Sequence, residues 1–457
     1  MTIDRSSAGA DLQSSIAERP TRVRWLVFVL ASGASWMLYL HRYSWNFIRP
    51  ALLEEYEFTN AQVDGLFTVF NASYAIGQIP SGILCDFFGP HLFLSVIIVL
   101  WSVLLPCFGL TGNFYGLAGL RLGFGAAQAG CYPCLTKVTR VWFPLRTRTI
   151  VQGMVASFFG RSGGAMSSII MGTLLMGMFG LGWRAAVSIM GLAGVLFAGL
   201  FAWLYRNDPR QDTRVNQAEL ALIREGETET PSDGPRVLPF RRVIRNPSML
   251  IFIFQQFINA GADSIYVYAM GSYFMTARNF DVGTAGLLVS LPLWGGAVGG
   301  VVGGFVNDGL IQLTGSRRWS RTSVGFAGKL VACLMMFVAI QQVSGIAAAV
   351  CLFVVKFFSD WTQPTVWGTC TDMGGRYSAT VFSIVNTSGS VGMIATPLLL
   401  GVILDLYTTT EIIDGKEQLI TDYTPMFAIV AAMYLVSACC WLFINCTRSL
   451  ERDERAA

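Results

Sequence analysis

The sequence predicts an all-α membrane protein of twelve transmembrane helices, arranged in two six-helix, pseudo-symmetric halves. Three observations carry that expectation. Hydrophobic residues make up 53% of the 457-residue chain and charged residues only 13%, where soluble domains carry about 25% charged residues; mean hydropathy is +0.53. Apolar stretches of the roughly 20 residues needed to cross about 30 Å of hydrocarbon can be laid along the chain twelve times. Short Gly and Asp patterns also recur at about half the chain length. The alternating segments of a membrane barrel are absent.

In chain order, a polar tail, 1–22, has no apolar region followed by a small-residue cleavage site, so the first span itself is expected to direct insertion. That span, 23–48, is interrupted by Arg42 beside His41. The second, 60–82, runs into Gly82-Ile-Leu-Cys-Asp86 and Gly89; the third is 91–111. The fourth, 114–136, holds Arg121, Gln128 and Cys131-Tyr-Pro-Cys134. Those cysteines have the spacing of a redox or metal pair, but they lie within a span and only His41 and His91 could complete a metal set. The ten cysteines, scattered through apolar spans, do not read as a disulfide framework. The fifth span, 148–178, sets Arg161 among Gly160, Gly163 and Gly172, and 183–205 is the sixth.

A polar stretch, 206–247, rich in Pro, Asp and Glu, reads as an exposed linker between the six-helix bundles 23–205 and 248–446. The seventh span, 248–276, carries a polar run of Gln255, Gln256, Asn259, Asp263 and Tyr266. The eighth, 283–307, leads into Asp308, and the ninth is 323–343. Lys356 and Asp360 sit one turn apart in the tenth, 346–368, which predicts an internal ion pair. The eleventh, 378–406, holds Asn386; the twelfth, 424–446, precedes a short tail, 447–457. The many Trp and Phe residues are expected to face lipid or the interface.

Lys and Arg crowd one set of alternate loops: Arg19, Arg22 and Arg24; Lys137, Arg140, Arg146 and Arg148; Arg236, Arg241, Arg242 and Arg245; Arg317, Arg318 and Arg321. The opposite loops hold Arg49, Arg184, Arg278 and Lys416. The positive-inside rule then places both termini in the cytoplasm of a multi-pass protein of the plasma membrane, the inner membrane in a bacterium. The net charge of +4 reflects this loop bias and does not point to nucleic acid.

The repeat pairs Gly82 and Asp86 with Gly304 and Asp308, and Gly160, Gly163 and Gly172 with Gly389, Gly392 and Gly401, at offsets of 222 and 229 residues. Two parallel-oriented halves follow. The loop residues Gly82, Asp86 and Gly89 resemble the loop motif of the major facilitator superfamily, which implies its twelve-helix fold. More specifically, Tyr74-Ala-Ile-Gly-Gln-Ile-Pro-Ser-Gly82, Arg121-Leu-Gly-Phe-Gly125, Val141-Trp-Phe-Pro-Leu-Arg146 and Gly182-Trp-Arg184 resemble the anion:cation symporter family. That branch holds vesicular glutamate carriers, sialin, phosphate carriers and galactonate and hexuronate symporters. In the second half the anchors are Leu291-Pro292, Asn386 and Thr396-Pro397. The resemblance implies that Arg42 and Arg121 organise the substrate route and that Tyr74 and Asn386 contact substrate. Proton-coupled members carry acids where this chain has His41 and Gln128, and a neutral side chain, often an amide, is expected where it has Arg161.

The residues themselves argue in the same direction. An ionisable group in hydrocarbon costs a few kcal/mol or more unless it faces a cavity or partner. Arg161 lies roughly 18 Å into its span, and Arg121 about 10 Å, with Gln128 two turns deeper on the same face. Arg42, Arg121 and Arg161 are therefore expected to face one central cavity and hold a carboxylate or phosphate through charge-assisted bonds. Alternatives stand beside this: Arg42 snorkelling to the interface, Arg121 paired with a backbone carbonyl, and His41 as a packed neutral residue. Otherwise His41 titrates in place of the missing acid. His41, Asp263 and Asp360 are the coupling candidates, with a proton or sodium as the ion, and anion exchange is the other reading. Gly82, Asp86, Gly89, Arg146 and Asp308 are expected to latch the cytoplasmic ends.

No ATP-binding loop, metal cluster or nucleophile-base set appears, so neither an enzyme nor a cofactor is expected. The expected function is secondary transport of a small organic anion, a carboxylate or sugar acid, by a monomer working through alternating access. An organophosphate:phosphate exchanger of the same fold and a non-transporting membrane sensor are the alternatives.

Overall fold

The computed structural model describes residues 19–58, 60–225, 237–270, 273–280, 282–413 and 416–450. Most of the expected N-terminal tail, the middle of the linker and the end of the C-terminal tail lie outside them.

The first span runs Val23–Tyr43, breaks at Ser44 and continues as Trp45–Glu55; the second is Asn60–Phe88 and the third Pro90–Cys107. Phe114–Ala129 and Cys131–Trp142 form the fourth. In the fifth, Leu145–Gly153 and Gly160–Ser167 are α-helical, and Met154–Phe159 and Ser168–Met178 are π-helical. Trp183–Leu204 is the sixth. Pro247–Asp263 opens the seventh, followed by Ile265–Tyr268 and a π turn at Tyr273–Ala277. Val282–Thr314, Arg317–Ile340, Gly345–Asp360 with Gln363–Gly374, Ser378–Leu406 and Thr424–Phe443 complete the series.

Local chemistry explains the starts. Asn113, Asn246, Ser316 and Ser344 each accept a backbone N–H in the first turn of the helix they precede. Gly89 sits at φ 79, where a Cβ would collide with Asn207, so the turn into the third span requires glycine. Several helices run past the expected limits, because they extend through the polar interface that hydropathy does not count. One element departs from the all-α expectation: Thr408–Ile413 and Lys416–Thr421 pair antiparallel, Thr408 opposite Thr421. Its sequence signal is a run rich in β-branched residues, Thr408 to Ile413, followed by Asp414-Gly415.

Packing reproduces the sequence repeat in space. In the first half the second span packs on the fourth, the third on the sixth and the first on the fifth; in the second half eighth meets tenth, ninth meets twelfth and seventh meets eleventh. The unbroken third, sixth, ninth and twelfth helices have mean hydropathies of 2.5, 2.2, 2.0 and 2.2 and leave Leu100, Leu196, Leu334 and Leu442 exposed, the surface a helix presents to lipid.

The halves join through the second span on the eleventh and the fifth on the eighth. Asp86 accepts from Thr380 N and Oγ1 at 2.8 and 2.6 Å, and Asp308 accepts from Ile150 N at 2.9 Å. Each repeat-related acid thus accepts a backbone N–H from a helix of the opposite half, and at Thr380, in the first turn of the eleventh span, the helix dipole favours negative charge. Gly82 permits this approach, since a Cβ there would collide with Ser383. The Arg146 side chain is exposed and the residue joins the contact only through its carbonyl, which accepts from Gln312 at 3.4 Å. Lys137, 3.0 Å from Asp86, supplies the cation instead, because it is on the helix facing that acid.

Candidate functional site

Two groups of charged side chains occupy the interior. Arg42 leaves the first span just before its break at Ser44, and its Nε donates to Oε1 of Gln128 at 3.0 Å. The guanidinium lies 4.5, 5.2 and 5.3 Å from the rings of Tyr74, Tyr39 and Phe70, within range for cation-π attraction. One Nη is buried with no hydrogen-bond partner among the described residues. Among the described residues, no carboxylate pairs with Arg42.

Gln128 is fully buried and does not face open space; its Nε2 donates to Leu38 O at 3.3 Å. One end of the amide thus holds Arg42 and the other anchors the amide to the backbone of the first span. Arg121 also departs from expectation. It is 2% exposed, packs against Trp45, Phe70 and Phe108 at 4.0, 4.6 and 5.8 Å, and its Nε donates to Leu66 O at 3.4 Å. The carbonyl contact, not the open cavity, receives it, because the fourth span turns this face onto the second.

The second group converges from other helices. Lys356 Nζ donates to Asp360 Oδ1 and to Asp263 Oδ2, each at 2.8 Å. Asp263 Oδ1 accepts from Tyr434 at 2.7 Å and Ser359 at 3.1 Å. Lys329 donates to the carbonyl and hydroxyl of Ser359 at 2.9 and 2.8 Å. Arg161 pairs with Asp360 across the halves and donates to Leu293 O at 3.3 Å. Gly296 leaves room for this pair: a Cβ there would lie 2.8 Å from Arg161 Nη1 and collide with the Asp360 carboxylate. Arg161 is thus a compensated cation, contrary to its reading as a free one. The short α-helical stretch bearing it is bounded by π-helical turns, an irregularity common at functional positions.

His41 turns away from both groups. It is 1% exposed and its Nε2 lies 3.0 Å from Met190 O on the sixth span, so it is packed between helices. Asn386 bonds the Gln78 side chain, whose Nε2 donates to Ser390 at 3.0 Å, and thereby ties the second span to the eleventh. Between described residues, the hydrogen bonds joining the halves run from the level of Arg161 and Asp360 toward the linker end. Lys329 enters the site unforeseen. A lysine inside the apolar stretch 323–343 carries the same signal as Arg42, whereas Tyr39, Phe70 and Tyr434 carry none, since aromatic residues fill these spans throughout.

The Major Facilitator Superfamily matches residues 25–397 and again 255–456. A probable sulfoacetate transporter of Cupriavidus necator is 28% identical over 421 residues, covering 92% of this chain and 93% of its own length. A probable L-galactonate transporter of Escherichia coli is 27% identical, covering 87% and 88%. In structure, the fucose:proton symporter of E. coli superposes with a TM-score of 0.66 at 14% identity, over 92% of this chain and 99% of that one, a likeness of fold.

Proposed function

The chain belongs to the Major Facilitator Superfamily, and from that premise we propose that it carries a small organic anion across the membrane by alternating access, with Arg42 as the residue that receives the anion. One observation carries the assignment of Arg42: its guanidinium is fixed by Gln128, walled by aromatic rings, and keeps a buried Nη with no hydrogen-bond partner among the described residues. Such a donor is costly until an acceptor arrives, and a carboxylate matches guanidinium geometry. The relatives named for sulfoacetate and galactonate support an organic acid as cargo. Tyr74 and Tyr39 would orient it.

Asp263 and Asp360 are the remaining acidic candidates for ion coupling, but the Lys356 ammonium lies between them, where a coupling cation would sit. We therefore read transport as anion exchange. The loop-charge bias puts the linker end in the cytoplasm of a plasma-membrane protein. The test is uptake of labelled organic acids into proteoliposomes by wild-type protein and Arg42→Gln. Equal uptake by the two at matched folded yield would refute the assignment of Arg42.

A further inference from the structure

We propose that the carried anion bears two acidic groups, one held at Arg42 and the second taken by Arg161 in exchange for Asp360. This rests on the reading of Arg42 above and adds the substrate class. The first ground is the charge inventory among the described residues: in the second cluster Arg161, Lys329 and Lys356 face Asp263 and Asp360 as their only acids, and Arg42 pairs with none. Among the described residues the interior lacks negative charge at two places, and a low-dielectric site strengthens the attraction to an anion that fills both.

The second ground is position. Tyr39 joins the two places. Its ring lies 5.2 Å from the Arg42 guanidinium carbon, and it also packs on the fifth span, where a Cβ built on Gly160, the neighbour of Arg161, would stand 3.5 Å from it. Within the cluster, the Arg161 side chain is 29% exposed while those of Lys356 and Asp360 are 6% and 5%, so Arg161 is the cation that an incoming ligand reaches.

The third ground is that the exchange strands no charge. When the second acid of the ligand takes Arg161, Asp360 keeps Lys356 at 2.8 Å, and Lys356 keeps Asp263. A buried carboxylate stripped of its only partner would oppose the step. Because Arg161 and Asp360 belong to opposite halves while Arg42 and Arg161 share one, the exchange also releases a direct bond between the halves. A monoanion held at Arg42 alone would leave that bond in place.

The experiment measures apparent affinity by thermal stabilisation of the purified full chain with matched probes at millimolar concentration: glucarate against gluconate, succinate against succinamate, and sulfoacetate against glycolate. In at least one matched pair the doubly charged member should bind roughly 10- to 100-fold tighter than its partner, the scale of a close buried charge contact. Arg161→Gln should reduce that ratio to within about threefold of unity. Asp360→Asn, which removes the competitor and keeps the volume, should raise affinity for the doubly charged probe. Weakening of that probe by Asp360→Asn as well as by Arg161→Gln would mean a merely structural ion pair and overturn the inference, as would no preference in any pair or no stabilisation by any doubly charged probe. Should Arg161→Gln fail to fold, the sign of the Asp360→Asn effect decides. Binding that survives Arg42→Gln in full counts against the parent reading; a ratio unmoved by Arg161→Gln counts against this one.

Discussion

Arg42 Nε donates to Gln128 Oε1 at 3.0 Å, while the other end of the same amide is tied to Leu38 O at 3.3 Å. The amide presents the guanidinium without neutralising it. A carboxylate at position 128 would pair with Arg42 and compete with any incoming anion.

Gln128→Glu should therefore raise the concentration needed for half-maximal uptake by about 10- to 100-fold, the range for filling a charged contact with an internal rival. Concentration dependence of uptake in proteoliposomes checks it. An unchanged half-saturation would mean that Arg42 is not the receiving group.

Coupling gives the second prediction. With His41 bonded to Met190 O and Lys356 seated between two carboxylates, neither an imposed proton gradient nor sodium should accelerate uptake by more than about twofold, whereas internal anion should. His41→Gln should leave this pattern in place. Strong acceleration by a proton gradient in His41→Gln would return attention to Asp263 and Asp360.

The repeat-related acids at the linker end give the third. Asp86→Asn removes the charge that pairs with Lys137 and faces the start of the eleventh span. Hydrogen bonds to charged groups contribute about 1.5–3 kcal/mol each, so the closed linker end should lose population by roughly tenfold or more. The readout is the alkylation rate of Ser383→Cys, buried under Gly82 here, in a background without native cysteines. Asp308→Asn should act in the same direction; no rate increase in either variant would remove the latch role.

The fourth concerns the linker. Glu219, fully buried, accepts from Val23 N at 2.9 Å and Arg24 N at 3.0 Å, capping the first span from a helix nearly two hundred residues away in sequence. Glu219→Gln should cost about 2 kcal/mol at this contact, read as faster proteolysis within the linker and a lowered Tm. A linker no more susceptible than in wild-type would show the cap to be dispensable.

Residue order alone determined the membrane class, the helical spans and the repeat, because these depend on hydropathy summed over about 20 residues and on glycines and acids recurring at fixed offsets. The tenth-span pair of Lys356 and Asp360 was equally legible, being one turn apart on one helix. Only the tertiary structure decided what each intramembrane charge faces. Arg121 met a carbonyl of the second span, His41 turned to the sixth, and Arg161 found Asp360 almost two hundred residues away. The reason is physical: spacing along a helix sets which residues share a face, but which neighbour that face meets depends on the rotation and packing of helices distant in sequence, and local periodicity carries no record of either.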